Sequence, residues 1–428
     1  GHLADLIGAE PLSHQRKWIA ELGPIVRFHR ILNEPAVLVA SPSALRHILA
    51  TNAQNYSKDV QLFKIIGAVL GPGLLTVSGD VHSRQRHIIA PSFRHKNLIH
   101  LIPTFIASAR ELRAAFLENL SDAPNQTMEI NVLEEMSKPT LDIIGRAGFG
   151  YEFNAVSNSE ATSALYAHFS AVTDLFPFVK YFVRAEWETH LNVVQSKKAL
   201  EKACREMVEA RLKESLSGDG ENDVGDLLSV FLKANREIKD VQSRLSDEEL
   251  GAQVLTFLLA GHETTSVALT WTLDFLSKNP EIQVKLREEL KLDMAHSDAD
   301  PSLDLITSSG NYLDAVFKES LRLATPAPMT MRKCLNDDVL DGFKIPKGTT
   351  ISISPDIMHK LPDIWGPDVL DFKPERWLDI GKQEEDDPRR TFGSFMPFML
   401  GPRNCIGAKF ATYEYKAILA VLVRNFEF

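Results

Sequence analysis

The sequence predicts a mainly α protein with small β-sheets, built as one helix-rich domain over residues 1–428 around a single long central helix. Three observations carry that reading. Ser246-Asp247-Glu248-Glu249 has the form of a capping box, with Ser246 as N-cap and Glu249 at the third helical position. The pattern it opens continues to Asn279-Pro280, where proline stops it; from Asp247 to Lys278 that is roughly 48 Å at 1.5 Å per residue, enough to cross a domain. The interval from Asn97 to about Leu216 is also mostly helical in pattern. Finally, no Gly/Ser or Pro-rich tract, low-complexity run or solenoid-period repeat marks a boundary, although 428 residues would allow two or three domains.

The elements follow in order. Leu12–Leu22 reads as an amphipathic helix ended by Gly23-Pro24. The apolar runs Ile25–Ile31 and Ala36–Val39 flank the turn residues Asn33-Glu34-Pro35 and read as a hairpin. Ser41-Pro42 supplies an N-cap with proline at the first helical position, opening a helix to about Asn52. Gly71-Pro72-Gly73 reads as a flexible loop. In Gly79–His87, His82 and Arg86 are four apart and share a helix face, by itself the pattern of a solvated basic face. Met128–Val132 reads as a short strand. Leu175–Val183 is rich in aromatics, for which core packing is the default reading, and Ser217–Asp223 is a polar loop before a short helix near Asp226–Asn235.

Within the long helix lies Ala260-Gly261-His262-Glu263-Thr264-Thr265. Interior glycine costs about 1 kcal/mol relative to alanine, and Ala260, Gly261 and Thr264 share a face by their spacing, leaving a small-residue notch with a hydroxyl. A close helix–helix contact would use such a notch, and so would a ligand. Threonine Oγ1 can also bond a carbonyl in the preceding turn and loosen the helix there. Glu319 and Arg322, three apart, alone read as a common surface pair worth a few tenths of a kcal/mol. Near the end, Phe398-Met399-Leu400-Gly401-Pro402-Arg403-Asn404-Cys405-Ile406-Gly407 sets one cysteine in a glycine-flanked loop at the mouth of a helix. The free N–H groups and positive dipole end of that helix favour the Cys405 thiolate, and a thiolate so held is a metal ligand.

Composition excludes several classes. A net charge of −10 argues against a nucleic-acid partner, which needs a basic face. Cys204, Cys334 and Cys405 are too few and scattered for a disulfide framework and fit a reducing compartment. No apolar run is long enough to span a bilayer.

Phe398, Gly401, Arg403, Cys405 and Gly407 match the cysteine signature of the cytochrome P-450 family of haem-thiolate monooxygenases, and the chain resembles that family over nearly its whole length. Matching five fixed positions by composition alone happens in roughly one chain in ten thousand of this length, which sets aside an ordinary buried cysteine. Met399 departs from the family pattern, which has a small or polar residue there. The resemblance implies that Cys405 ligates the iron of haem b, where thiolate electron donation favours O–O cleavage. It places Ala260 and Gly261 in an oxygen-binding groove of the central helix, over the haem, with Glu263 and Thr264 as an acid-alcohol pair for proton delivery. His262 points elsewhere. His82 stands where the family has a tryptophan paired with Arg86, and both donate to a haem propionate; Arg332 and Arg403 share that role. Glu319, Arg322 and Arg376 of Pro374-Glu375-Arg376-Trp377 match a triad that locks the cysteine loop.

By the same resemblance, one oxygen atom of dioxygen enters a lipophilic small-molecule substrate. Electrons come from NADPH through a flavoprotein reductase, docked by basic residues near the loop: Lys382, Arg389, Arg390 and Lys409. The family also implies an endoplasmic reticulum membrane location with the catalytic domain facing the cytosol. Leu175–Val183 would then roof the substrate cavity and touch the membrane surface, and both termini would be incomplete, an N-terminal anchor being absent. Two other readings stay open: a haem-thiolate peroxide isomerase, which the Glu263-Thr264 pair argues against, and a non-catalytic haem gas sensor.

Overall fold

Helix prevails wherever apolar residues recur at three and four, and the short β-rich runs pair into two small sheets. The computed structural model describes residues 12–30, 33–58, 61–121, 123–157, 187–217, 225–296, 298–379 and 387–428. Its principal helices are α1 (Ser13–Leu22), α2 (Pro42–Arg46), α3 (Gln61–Leu70), α4 (Gly79–Ile89), α5 (Ile102–Ser121), α6 (Val132–Ile143), α7 (Trp187–Ser217), α8 (Leu227–Glu237), α9 (Asp247–Lys278), α10 (Pro280–Asp293), α11 (Tyr312–Leu323) and α12 (Ala408–Asn425). The aromatic run Leu175–Val183 and most of the loop Ser217–Asp223 lie outside the described residues. Among the described residues no helix is long and apolar enough to cross a membrane.

Contacts gather the chain into two compact units. The first holds residues 1–64, 274–286 and 308–408. Its sheet takes the order β1-β2-β7-β4-β3, from β1 (Ile25–His29), β2 (Pro35–Val39), β3 (Tyr56–Ser57), β4 (Thr330–Cys334) and β7 (Thr350–Ile353). The expected hairpin is β1 against β2, antiparallel with Ile25 opposite Val39, and β2 runs parallel to β7. Flanked on both edges, β2 buries four residues in succession, Ala36 to Val39. Ser41 caps α2 with Pro42 at its first position, and the chain continues through a π-helical turn, His47–Thr51, rather than as one α-helix to Asn52. A separate hairpin joins β5 (Asp338–Leu340) to β6 (Phe343–Ile345). Asp338 at its start accepts from Tyr56 Oη (2.7 Å) and Asn52 Nδ2 (3.0 Å).

The second unit holds residues 65–273, 287–307 and 409–428, and so all of α9 but its last five residues. The capping box forms as the sequence predicts: Glu249 N donates to Ser246 Oγ (3.2 Å) and Ser246 N to Glu249 Oε2 (2.9 Å). Phe231 of α8 meets Phe257 of α9 edge to face, with ring centroids 6.5 Å apart. Two expectations fail here. Residues 128–131 form no strand; Asn131 instead caps α6, a local bond that a strand would have to forgo. Gly71-Pro72-Gly73 is pinned rather than flexible. A Cβ on Gly73 would come within 2.9 Å of the Ala252 carbonyl oxygen, so glycine there permits close approach to α9.

Candidate active site

In the first unit the cysteine loop is fixed by its backbone. Cys405 N donates to the Phe398 carbonyl (2.8 Å), Asn404 N to Gly401 (3.0 Å) and Met399 N to Met396 (3.0 Å). Gly401 has φ +76°, and a Cβ there would lie 1.7 Å from the Leu49 carbonyl oxygen in the π-helical turn, so only glycine fits. Met399, the residue that departs from the sequence pattern, takes φ +57°, a conformation uncommon for a long side chain. Phe398 is half-buried and packs on Phe317 of α11, and Cys405 presents an exposed thiol between Arg403 and the start of α12.

Beneath that loop, the pair read from spacing as exposed is fully buried. Glu319 and Arg322 side chains are both 0% exposed, and they form a two-pronged pair: Nε to Oε2 at 2.9 Å and Nη2 to Oε1 at 2.8 Å. Arg322 also donates to the carbonyls of His359, Val369 and Asp371. Glu319 accepts from Lys373 N (2.9 Å), Trp377 Nε1 (2.9 Å) and Arg376 Nε (3.3 Å). One short helix thus ties two other stretches of chain, at 359 and at 369–377. His359 adds a link that no sequence spacing signalled: its Nε2 accepts from Met396 N (2.9 Å), and Met396 O holds Met399 N. Burial, with the Arg322 charge beside it, pushes His359 down to about 3, which keeps the imidazole neutral and able to accept.

Arg332, on β4, is 2% exposed and bonds to Thr330 Oγ1 and the Met331 carbonyl, but its Nη2 has no hydrogen-bond partner among the described residues. Burial, and secondarily Arg403, pushes it down to about 10. A buried guanidinium beside a second cation, with one donor left over, fits an anionic group such as a carboxylate. The exposed Cys405 thiol in the same unit supplies the soft donor suited to iron. These residues therefore fit an iron porphyrin carrying carboxylates.

In the second unit, Thr264 Oγ1 donates to the Ala260 carbonyl (2.7 Å), the back-bond expected from the sequence. Ala260, Glu263 and Thr264 are exposed on α9. The bare face of Gly261 is occupied: a Cβ there would lie 2.9 Å from Ile144 Cδ1, so this glycine serves helix packing. His262 points inward, 3% exposed, and burial pushes it down to about 4. On α4, Arg86 is half-buried and His82 is 6% exposed, which removes the solvated-face reading for the histidine.

One residue further along α9, Thr265 Oγ1 donates to Glu414 Oε2 of α12 (2.9 Å), and Glu414 is 0% exposed. Burial pushes its carboxyl well above the ordinary range, so it keeps its proton in the fold while the unfolded chain ionises above about pH 4.3. The folded state then binds more protons than the unfolded one, and stability falls as pH rises from that value towards the folded pKa, by at most about 1.4 kcal/mol per pH unit. Glu414→Gln, which mimics the protonated acid, is expected to flatten that decline and raise stability near neutrality. Denaturant midpoints measured from pH 5 to 8 check this. The same slope in variant and parent would show that Glu414 is ionised when folded.

Comparison with known proteins bears on the whole chain. A family model described as "Cytochrome P450" matches residues 1–428. Among curated proteins, the chain is 32% identical to cytochrome P450 monooxygenase 205 of Postia placenta, covering 100% of this chain and 83% of that protein. It is 32% identical to cytochrome P450 monooxygenase claW of Ampulloclitocybe clavipes (96% and 80% covered) and 30% identical to cytochrome P450 monooxygenase sphH of Aspergillus fumigatus (100% and 80%).

Proposed function

The chain belongs to the cytochrome P450 family, the haem-thiolate monooxygenases, and from that membership we propose that it inserts one oxygen atom into a lipophilic small molecule with electrons from an NADPH-dependent flavoprotein reductase. The observation that carries the reading is the back-bond of Thr264 to Ala260, one residue from Glu263. Haem b, held through a cysteine thiolate, supplies the chemistry of oxygen activation. The rest falls to side chains. Cys405 gives the thiolate; Arg332, Arg403, Arg86 and His82 hold the propionates; Phe398 and Gly407 shape the loop around the sulfur. Since Thr264 Oγ1 donates to Ala260 (2.7 Å), its lone pairs can accept a hydrogen bond from a water, orienting that water's other proton for transfer, and Glu263 on the exposed side of the helix would return a proton to the water.

A peroxide isomerase needs no such relay, and the acid-alcohol pair favours the monooxygenase. Of the cations read as a reductase docking face, Arg389 is engaged by Asp387 (2.7 Å), Arg390 and Lys409 are exposed, and Lys382 lies outside the described residues. Arg390 and Lys409 are therefore the docking candidates. We place the protein at the cytosolic face of the endoplasmic reticulum membrane, as the family resemblance implies.

Thr264→Ala is the test. The variant should keep haem and substrate binding while losing about 10²–10⁴ in product formation, the contribution of one positioned proton-transfer step. Electrons should be diverted to hydrogen peroxide, measured as peroxide released per NADPH consumed. Full coupling in the variant would remove the relay.

A further inference from the structure

Two glutamines that no motif singles out join α4 to α9. Gln85 and Gln253 are both 0% exposed. Leu74 N donates to Gln253 Oε1 (3.0 Å), and Gln253 Nε2 donates to Gln85 Oε1 (2.8 Å). Gln85 Nε2 then donates to the Pro72 carbonyl (2.8 Å) and to Glu249 Oε1 (2.9 Å). The direction of the chain is not arbitrary. Leu74 N–H can only donate and Pro72 C=O can only accept, so these fixed ends orient both amides between them. Arg84 closes the set by pairing with Glu249 and donating to the Arg244 carbonyl (2.7 Å).

What this relay positions follows from helix spacing. Gln85 lies three residues after His82 and immediately before Arg86 on α4, so a shift of Gln85 moves both. Gln253 lies seven residues, two turns, before Ala260 on α9. The loop at 72–74 supplies the terminal acceptor and donor, which fixes the helix in register against α9. We infer that Gln85 and Gln253 are positioning residues, setting where His82 and Arg86 stand to hold the haem carboxylates. The inference rests on the assignment of those two residues above.

The test compares holoprotein carrying Gln253→Leu or Gln85→Leu with Asn235→Leu. Asn235 of α8 is a buried amide clamp in the same unit (Leu245 N to Oδ1, 2.7 Å) on a helix that carries neither candidate. Haem transfer to excess apomyoglobin and the haem reduction potential are measured. Both glutamine variants should lose haem about 10–100-fold faster, the usual cost of removing a supporting partner. Their potential should fall, because weaker pairing leaves more negative charge near the iron and favours the oxidised state. Asn235→Leu should leave the potential unchanged. If the leucine variants fold poorly, Gln253→Met, of similar length and without donors, gives the same readouts. Wild-type potential and transfer rate in the glutamine variants overturn the inference, as does an equal shift in Asn235→Leu. Arg86→Leu separates the levels: if it is also silent the propionate assignment fails with the inference, whereas a marked effect of Arg86→Leu beside silent glutamine variants overturns the inference alone.

Discussion

Cys405→Ser is expected to abolish monooxygenation and the red-shifted absorption of the reduced, carbon monoxide-bound haem that thiolate ligation produces. The loop itself should survive, since it is held by backbone bonds, Cys405 N to Phe398 and Asn404 N to Gly401, and these do not involve the sulfur. What changes is the donor atom. A serine hydroxyl does not ionise in the range where a thiol does and is a hard oxygen ligand, so the electron donation that favours O–O cleavage is lost. The spectrum of the purified variant decides the matter. A band unchanged from the parent would falsify the ligand assignment.

Glu319→Ala or Arg322→Ala should give chain that holds little haem. Removing Glu319 strands a guanidinium that is 0% exposed and leaves Lys373 N, Trp377 Nε1 and Arg376 Nε short of an acceptor. Removing Arg322 strands the carboxylate and frees three carbonyls at 359, 369 and 371. Breaking a buried pair by deleting one partner costs about 3–5 kcal/mol, against about 5–15 kcal/mol for a whole domain. The pair as such need not be net stabilising, because desolvating two charges is itself costly. Its value is that it fixes the segments behind the cysteine loop. Haem content per chain after purification is the measurement, and normal loading in both variants would sink this account.

Much of this was legible in the chain. The capping box at Ser246 and the stop at Pro280 gave α9 its bounds because both signals are local and chemical. The cysteine loop was legible because its demands, a bare Cα at Gly401 and a thiol ahead of a helix, leave few residues to choose from. The Glu319-Arg322 spacing, by contrast, is common on surfaces, and burial depends on carbonyls almost fifty residues away. Gly261 was legible only as a choice between a helix contact and a ligand notch, because the partner that its missing Cβ admits, Ile144, lies over a hundred residues earlier. His359 and the Gln85–Gln253 relay were illegible because a lone polar residue has no period, and only tertiary structure shows what it bonds.

Gly401 has a consequence at the level of the gene. With the Leu49 oxygen 1.7 Å from where a Cβ would sit, the backbone itself fills the space that any other side chain needs. Every first- or second-base change in a glycine codon brings in a side chain or a stop, whereas every third-base change is silent. In any copy of this sequence, a first- or second-base change in that single codon therefore marks a chain that cannot form the cysteine loop as it stands here. An active copy encoding alanine at 401 would show that the loop can draw back from Leu49 after all.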